Sequence, residues 1–462
     1  MLFRSQSTLA LNAPSRPVPA FVAQYGIFAS LDDAVSAAAP AQKRLDNVIV
    51  LQNVIAAVRQ AGERYAQVLA EMAVEETGMG RVADKYAKNV SQARSTPGTE
   101  SLSAKVVTGD NGLTLIENAP WGVVASVTPS TNPAATVINN AISMIAAGNS
   151  IVFAPHPSAK KVSLYTISLL NKAIVAAGGP ENLLVTVAEP NIETAQRLFR
   201  HPGISLLVVT GGEAVVEAAR KHTDKRLIAA GAGNPPVVVD ETANIERAAR
   251  DIVRGASFDN NIICVDEKVA IVVNSVADEL LSEMQYHQAV LLTRQQTEQL
   301  QSLLLTDIDE HGNGRPHRDW VGRDAAKIAA AIGLDVSEHT RLLLAETDAN
   351  HPFAVTEMMM PVLPIVRVRD VEEAIELAIH LEGGRRHTAA MHSTNINNLH
   401  KMANAINTSI FVKNGPCIAG LGLGGEGCTS MTISTPTGEG VTSARTFVRI
   451  RRCVMVDMFR IV

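Results

Sequence analysis

Apolar side chains near the start of the chain recur with helical spacing. Ser30-Leu31-Asp32-Asp33 has the composition of a helix N-terminus, and apolar residues then recur every three or four positions over residues 45–58. A second amphipathic segment over residues 65–77 stops at Gly78, and glycine is favoured just beyond a helix end. We therefore predict amphipathic helices between residues 30 and 78.

The pattern changes at Trp121, where short unbroken apolar runs begin to alternate with helical stretches. Strands that are buried on both faces lose their polar alternation, so this pattern is typical of a parallel sheet built from βαβ units. The sequence predicts an α/β fold with a doubly wound nucleotide-binding domain, followed by a second alternating region over about residues 234–412. The predicted strands are 123–127, 151–154, 183–187, 206–209 and 227–230, then 237–239, 269–273 and 362–368.

Two segments that are far apart in the sequence have a pattern that predicts strands outside the parallel sheets. Residues 106–107 and 113–115 flank Asn111-Gly112, a dipeptide that supplies the positive φ of a tight hairpin turn. Residues 445–456 alternate like a strand but have no local partner. We predict that this terminal strand pairs with the 106–116 hairpin, in the same subunit or in a neighbouring one.

Composition narrows the class of function. The 41 basic and 46 acidic residues are mixed along the chain, which argues against a nucleic-acid or anionic-membrane binder, and we expect no metal site. No apolar run approaches the roughly 18 residues of a membrane helix. Four cysteines in 462 residues, none in a CxxC pair, indicate a reducing cytosolic compartment. Residues 1–24 contain three prolines and no clean helical period, and we interpret them as a linker.

Cys264 is the leading candidate for chemistry. It follows the nucleotide-binding half, and a nucleophilic thiol between two domains could hold a carbonyl carbon covalently while a cofactor removes a hydride. A free cysteine is also often a small buried apolar residue. The local sequence leaves both interpretations open.

Polar groups follow three of the predicted parallel strands. Thr210-Gly211-Gly212 joins a strand to a helix N-terminus, where backbone donors favour phosphate, although a plain turn is the alternative. Asn132 could donate to a developing oxyanion together with the backbone N–H of Cys264, or could simply cap a helix. Pro155-His156 ends the next strand, so His156 could contact a ribose or phosphate or be a solvated loop residue.

Three further motifs carry a weaker signal. Glu357 is a lone carboxylate before a methionine-rich stretch and could equally be a surface residue. His387 is an acid–base candidate whose default role is that of a satisfied core histidine. Residues 422–427 match G-x-G-x-x-G, but they follow no strong strand and open no clear helix, so we expect a loop between domains rather than a pyrophosphate site.

These segments together resemble the aldehyde dehydrogenase superfamily, and more closely its coenzyme A-acylating branch. The resemblance extends from about residue 26 to the end of the chain. It is carried by residues 76–80, 130–133, 151–161, 229–236, 257–268, 357–364, 411–416 and 435–445.

The resemblance implies an activity and a role for each candidate. The activity is NAD-dependent, coenzyme A-acylating oxidation of acetaldehyde to acetyl-CoA, through a thiohemiacetal and an acyl-thioester on a poised Cys264 thiolate. Asn132 would be the oxyanion donor and Glu357 the nicotinamide-ribose contact. The Thr210–Gly212 loop would bind the cofactor, with Pro155 and His156 on the adenosine side. A propionaldehyde-preferring enzyme and an ordinary hydrolytic aldehyde dehydrogenase are the alternatives.

The resemblance also implies a domain organisation and partners. After a linker over residues 1–25, it implies an NAD-binding domain over 26–104 and 121–229 and a catalytic thiol domain over 230–420. Oligomerisation strands over 105–120 and 441–462 would form a dimer or tetramer. The implied location is the bacterial cytoplasm or the interior of a microcompartment, with shell or lumen proteins as partners. Residues 1–24 lack the amphipathic helix expected for shell docking.

One departure from the family pattern concerns the acyl acceptor. Ordinary aldehyde dehydrogenases carry a glutamate that activates water, whereas the corresponding stretch here, Ala230–Asn234, contains no carboxylate. We therefore expect coenzyme A, rather than water, to accept the acyl group.

Overall fold

The computed structural model describes residues 25–457, so the proposed linker lies almost wholly outside the described residues. The elements up to residue 230 alternate between strands and helices, as the apolar pattern predicts. They are β1 (Ile27–Phe28), α1 (Leu31–Lys43), α2 (Val48–Arg64), α3 (Ala66–Thr77), α4 (Val82–Ser95), β2 (Lys105–Gly109), β3 (Gly112–Pro120), β4 (Val123–Thr128), α5 (Pro133–Ala146), β5 (Ser150–Pro155), α6 (Lys160–Ala176), β6 (Leu184–Val187), α7 (Ile192–Arg200), β7 (Leu206–Thr210), α8 (Glu213–His222) and β8 (Arg226–Ala230).

The remainder of the described chain repeats this alternation. Its elements are β9 (Pro236–Val239), α9 (Ile245–Ala256), β10 (Val269–Val273), α10 (Asn274–Tyr286), β11 (Ala289–Leu291), α11 (Arg294–Leu304), β12 (Leu305–Thr306), β13 (Arg315–Pro316), α12 (Ala325–Ala331), β14 (Leu342–Glu346), α13 (Pro352–Val355), β15 (Val362–Val368), α14 (Val371–Glu382), β16 (Thr388–His392), α15 (Ile396–Ile406), β17 (Ile410–Lys413), β18 (Ile433–Ser434), β19 (Gly440–Val441) and β20 (Val448–Val456).

The first sheet is parallel, with strand order β1-β6-β5-β4-β7-β8. Its strands confirm the five predicted runs to within about a residue, and alternate residues of β4 enter two apolar clusters on opposite faces. The chain winds away from β4 in both directions, and such a switch point is where parallel sheets bind ligands. The two-residue β1 was not predicted, because it is too short to show a period.

The second sheet is also parallel, with strand order β11-β14-β15-β10-β9-β16-β17. It contains the three strands predicted for this region. Apolar clusters again cover both faces. The α/β fold class is confirmed, and Cys264 lies just before β10 of this sheet.

The helix ends and the hairpin also follow the predicted pattern. Ser30 Oγ accepts the Asp33 N–H at 3.1 Å, and α3 ends at Gly78 with φ of 66°. The antiparallel sheet β2-β3-β20, which we call the flap sheet, pairs the hairpin with the terminal strand of the same chain. That strand begins at Val448 rather than at residue 445, because residues 444–447 form a 3-10 turn.

Two expectations about other segments can also be checked. The Gly422–Gly427 segment follows a 3-10 turn over Cys417–Leu421, so it lacks the strand–helix context of a dinucleotide fingerprint. Within residues 25–457, no helix is both long enough and apolar enough to cross a membrane.

Candidate active site

Three predicted ligand-contacting segments lie at one edge of the first sheet. β4 pairs with β5 on one side and with β7 on the other, so their carboxyl ends are neighbours. Asn132 follows β4, His156 follows β5 and Gly211 follows β7. The fold therefore places the three loops together at the switch point of the sheet.

The loop that carries Cys264 has an unusual backbone. Asp259, Asn260 and Asn261 all have left-handed conformations, with φ of 46°, 57° and 66°. Such conformations cost non-glycine residues on the order of 1–3 kcal/mol each and persist only where other interactions impose them. Asn260 Nδ2 donates to the Gly322 carbonyl at 2.8 Å, and Asn261 Nδ2 donates to the Ala256 carbonyl at 2.8 Å. Side-chain hydrogen bonds thus hold the strained loop in place.

A tight turn then presents Cys264. The Asp266 carboxylate accepts the Ile263 N–H at 3.1 Å, and the Asp266 N–H returns a bond to the Ile263 carbonyl at 3.1 Å. Lys268 Nζ reaches back to the carbonyls of Asn261 and Ile263 at 2.8 and 2.9 Å. The Cys264 residue is half-buried against the apolar cluster that contains Ile263. The turn is therefore fixed on both sides of the cysteine.

The surroundings of Cys264 act on its protonation state. Burial and the nearby charge of Glu357 raise the pKa of the Cys264 thiol to about 12, against the opposing effect of Lys268. Desolvation disfavours the charged form of any acid, so these surroundings favour the neutral thiol. The poised thiolate that the chemistry requires stays a prediction.

Glu357 is not a surface residue. Its Oε1 accepts the backbone N–H of Gly233 at 3.3 Å, and the residue is half-buried. Burial raises the pKa of Glu357, while Lys268 and the Gly233 N–H oppose the rise. Glu357 is far from Ala230–Asn234 in the sequence, but in the fold its carboxylate contacts this stretch at Gly233.

Gly233 is the point at which the candidate groups converge. A Cβ atom there would lie 2.8 Å from the Cys264 carbonyl oxygen and 2.9 Å from His387 Cγ. Only a glycine lets the backbone pass between these groups. The loop around Gly233 thus lies next to Cys264, Glu357 and His387.

His387 is buried, and one of its two ring nitrogens has a hydrogen-bond partner among the described residues. Its Nδ1 shares a 2.9 Å hydrogen bond with Thr388 Oγ1, whereas Nε2 has no partner in the described part of the chain. Burial and Lys268 lower the pKa of His387 to about 3, so the ring is neutral at physiological pH. The default of a satisfied core histidine is therefore wrong for Nε2, which retains the ability to exchange a hydrogen bond.

Asn132 occupies the N-cap position of α5 without capping it. Its side chain accepts no backbone N–H from α5, whose residues are all described. Instead, Oδ1 accepts a hydrogen bond from Lys88 Nζ, and Nδ2 donates to Thr131 Oγ1 at 3.2 Å. The second amide proton has no acceptor among residues 25–457, so Asn132 keeps one N–H available for a ligand.

The glycine loop after β7 could hold a phosphate. Apart from its chain neighbours, no described atom lies within 4 Å of where a Gly212 Cβ would be. α8 begins immediately afterwards, and the N–H groups of Glu213 and Ala214 have no hydrogen-bond partner among residues 25–457. Thr210 points elsewhere, since its Oγ1 bonds Thr432 Oγ1 at 2.9 Å. His156 is exposed, and its Nδ1 accepts the Ser158 N–H at 3.1 Å. The groups of these loops that remain available to a ligand are therefore the backbone N–H groups at the start of α8, rather than the side chains of Thr210 or His156.

Known proteins are similar to this chain over nearly its whole length. The model of the aldehyde dehydrogenase family matches residues 5–303 and 338–431. The chain is 74% identical over 454 residues to the acetaldehyde dehydrogenase (acetylating) EutE of Salmonella typhimurium, covering 98% of this chain and 97% of that protein.

Two solved structures are similar over nearly the whole chain. One is a Rhodopseudomonas palustris propionaldehyde dehydrogenase with bound propionyl-CoA, 47% identical with a TM-score of 0.90, covering 94% of this chain and 95% of that one. The other is a propionaldehyde dehydrogenase from the Clostridium phytofermentans fucose utilisation bacterial microcompartment, 42% identical with a TM-score of 0.92, covering 95% and 100%.

Proposed function

The chain belongs to the aldehyde dehydrogenase family, and from this premise we propose that it oxidises acetaldehyde to acetyl-CoA with NAD⁺ and coenzyme A. The observation that carries the proposal is the convergence of Cys264, Glu357 and His387 on Gly233. The identity to an acetylating acetaldehyde dehydrogenase supports both the substrate and the acyl acceptor.

The described residues fit a dinucleotide. The open backbone at Gly212 and the start of α8 would hold phosphate, and the half-buried Glu357 carboxylate would accept hydrogen bonds from a ribose. When bound, NAD⁺ supplies the acceptor for the hydride that leaves the aldehyde carbon. Pro155 and His156, at the end of the neighbouring β5, would lie on the adenosine side.

In the first chemical step, Cys264 Sγ bonds to the aldehyde carbon. Negative charge develops on the carbonyl oxygen, where the uncommitted Asn132 N–H would stabilise it, and the proton that leaves sulfur ends on this oxygen as the thiohemiacetal hydroxyl. One such donor contributes about 10²–10³ in rate. Loss of the hydride converts the thiohemiacetal into a thioester and releases the hydroxyl proton.

In the second step, the coenzyme A sulfur bonds to the acyl carbon and the bond to Cys264 Sγ breaks. Cys264 recovers a proton, while the incoming thiol loses one. His387 Nε2, neutral and without a partner among the described residues, is placed beside the same loop and would relay that proton. The products are acetyl-CoA and the regenerated Cys264 thiol.

Hydrolysis is the second candidate, favoured by one observation. Although Ala230–Asn234 contains no carboxylate, Glu357 contacts Gly233 within that stretch and could in principle activate water. Against this role, the Gly233 N–H engages one of its oxygens. A preference for propionaldehyde is the other alternative, since two similar structures are propionaldehyde dehydrogenases.

We further propose the domain roles and assembly. The first sheet and its helices (26–104 and 121–229) would bind NAD⁺, and residues 230–420 would carry the thiol. The segments 105–120 and 441–462 would join subunits. They contain the flap sheet, whose exposed Val106, Val107, Ile450 and Val454 support this role, and residues 458–462 lie outside the described residues. The microcompartment origin of one similar structure supports a location in the bacterial cytoplasm or inside such a compartment, among its shell or lumen proteins.

NADH absorbance tests the proposal. With acetaldehyde and NAD⁺, we expect steady turnover only when coenzyme A is present, and at most a brief burst without it. Product analysis should identify acetyl-CoA. Acetate formed at a comparable rate without any added thiol would contradict the acylating function and favour hydrolysis. A higher kcat/KM for propionaldehyde than for acetaldehyde would change the proposed substrate but would leave the acylating activity in place.

A further inference from the structure

Two lysines of α4 are buried beside the candidate site. The exposed fractions of Lys85 and Lys88 are 3% and 1%, and they meet the fully buried Asp259. Charged side chains are seldom buried to this extent unless they are paired. Asp259 opens the left-handed segment that precedes Cys264, so this cluster touches the nucleophile loop directly.

The two lysines make different contacts. Lys85 Nζ donates to the Thr131 carbonyl at 2.9 Å and to Asp259 Oδ2 at 3.0 Å. Lys88 Nζ donates to the same Asp259 oxygen and also to Asn132 Oδ1. Only Lys88 therefore joins the amide of Asn132 to the acid of the nucleophile loop.

The space beside the two lysine ammonium groups is small. The pocket lined by Lys85, Lys88 and Asn132 has a volume of about 10 Å³. This volume is at the lower limit for a single water molecule. We therefore seek the role of the lysines in the contacts that they make within the protein.

The chemistry of Lys88 fixes the orientation of Asn132. An ammonium group can only donate hydrogen bonds, so it must face the amide oxygen, and the NH₂ group must point the other way. Thr131 Oγ1 takes one of the two amide protons at 3.2 Å. The other proton is then the one available to an oxyanion.

We propose that Lys88 is a positioning residue, which fixes the Asn132 amide as an oxyanion donor and couples it through Asp259 to the loop of Cys264. This inference rests on the proposed function, because it takes Asn132 to be the donor. Lys88 touches no reacting atom in this scheme, and its whole catalytic effect passes through Asn132.

A double-mutant cycle tests this dependence. Asn132→Ala should lower kcat about 10²–10³-fold. Lys88→Met should lower kcat by about 10-fold or more, with KM for acetaldehyde changed less than about 3-fold, because a freed amide can rotate its donor away. In the Asn132→Ala background, Lys88→Met should lower kcat by no more than about 2-fold further, since no donor remains to position.

Lys85→Met is the matched control. It removes the same charge from the same buried acid but leaves the Asn132 contact in place. Lys85→Met should therefore lower kcat less than Lys88→Met does. It should lower kcat by the same factor in the wild-type and the Asn132→Ala backgrounds. Lys88→Gln serves as a second variant if Lys88→Met does not fold. Its amide can donate or accept and so no longer fixes the orientation of Asn132, and it should show the same loss of additivity.

The outcomes separate the inference from the proposed function. Suppose that Asn132→Ala lowers kcat and that Lys88 substitution lowers kcat by the same factor with or without Asn132. Lys88 then acts elsewhere, and the inference is overturned while the proposed function stands. Equal losses for the Lys85 and Lys88 variants would overturn it too. If Asn132→Ala leaves kcat unchanged, Asn132 is not the donor, and both the assigned role and the inference fail.

Discussion

The backbone N–H of Gly233 donates to Glu357 Oε1 at 3.3 Å, and a Cβ atom at Gly233 would lie 2.8 Å from the Cys264 carbonyl oxygen. One glycine thus joins a carboxylate that is 93 positions from the cysteine in sequence to the loop that carries the nucleophile. This contact explains why the charge of Glu357 acts on the Cys264 thiol.

Gly233→Ala should lower both stability and activity. The added methyl would lie 2.8 Å from the Cys264 carbonyl oxygen, so the backbone must shift, at a cost of about 1–3 kcal/mol in the free energy of unfolding. Denaturant melts and kcat measurements on one preparation check this. Gly109→Ala is the control, because among residues 25–457, apart from its chain neighbours, no atom lies within 4 Å of its Cβ position. Equal behaviour of the two variants would argue against close packing at Gly233.

Cys264→Ala should abolish aldehyde oxidation and leave NAD⁺ binding nearly unchanged. The thiol forms the covalent intermediate, whereas the cofactor would be held by the loop after β7. Fluorescence titration with NAD⁺ measures binding, and NADH absorbance measures turnover. Cys428→Ala, at an exposed position, is the control and should retain activity. More than a trace of turnover in the Cys264 variant would place the nucleophile elsewhere.

Alkylation of Cys264 in the free protein should be slow and steeply dependent on pH. With a pKa of about 12, the thiolate fraction is about 10⁻⁴ at pH 8, and the iodoacetamide rate should rise about tenfold per pH unit. A Cys428→Ser, Cys453→Ser background removes the exposed thiols. In that background, Glu357→Gln should speed alkylation, because it removes a negative charge that raises the Cys264 pKa. A plateau near pH 8 would refute the assigned protonation state.

The acid side of the stability profile should depend on His392. Burial lowers the pKa of His392 to about 4, below its unfolded value of about 6.5. A depressed pKa means that the unfolded state binds protons more readily, so this stabilising effect is complete above pH 6.5 and is lost as the pH falls toward 4. His392→Gln should flatten the decline between pH 6.5 and 4.5 in urea melts. An unchanged slope would show that other groups cause the decline.

The sequence predicted the parts of the molecule that depend on local pattern. The strands of both parallel sheets have continuous apolar runs, and the Asn111-Gly112 turn specifies its hairpin locally. Cys264 and Glu357 were identified by their segments, and the fold brings both to one loop. Each of these conclusions needed only neighbouring residues or a family motif.

The contacts that set the electrostatics could not be predicted in the same way. Lys85 and Lys88 lie three positions apart on an amphipathic helix, a spacing typical of a solvated face, and only the tertiary fold buries them against Asp259. The raised pKa of Cys264 likewise follows from burial and from Glu357, neither of which is a local property. The available signal was Asp259 itself, an acid five residues before the candidate nucleophile.

The flap sheet also imposes an order on biosynthesis. β3 ends at Pro120, but every residue with which it pairs in β20 belongs to Val448–Val456, more than 300 residues later. The sheet therefore cannot be completed on a nascent polypeptide until residue 456 has been synthesised. A prematurely terminated chain would retain the β2–β3 hairpin with an unpaired edge and with Val106 and Val107 exposed, which favours aggregation. Completion of this sheet thus distinguishes chains that include β20 from shorter fragments.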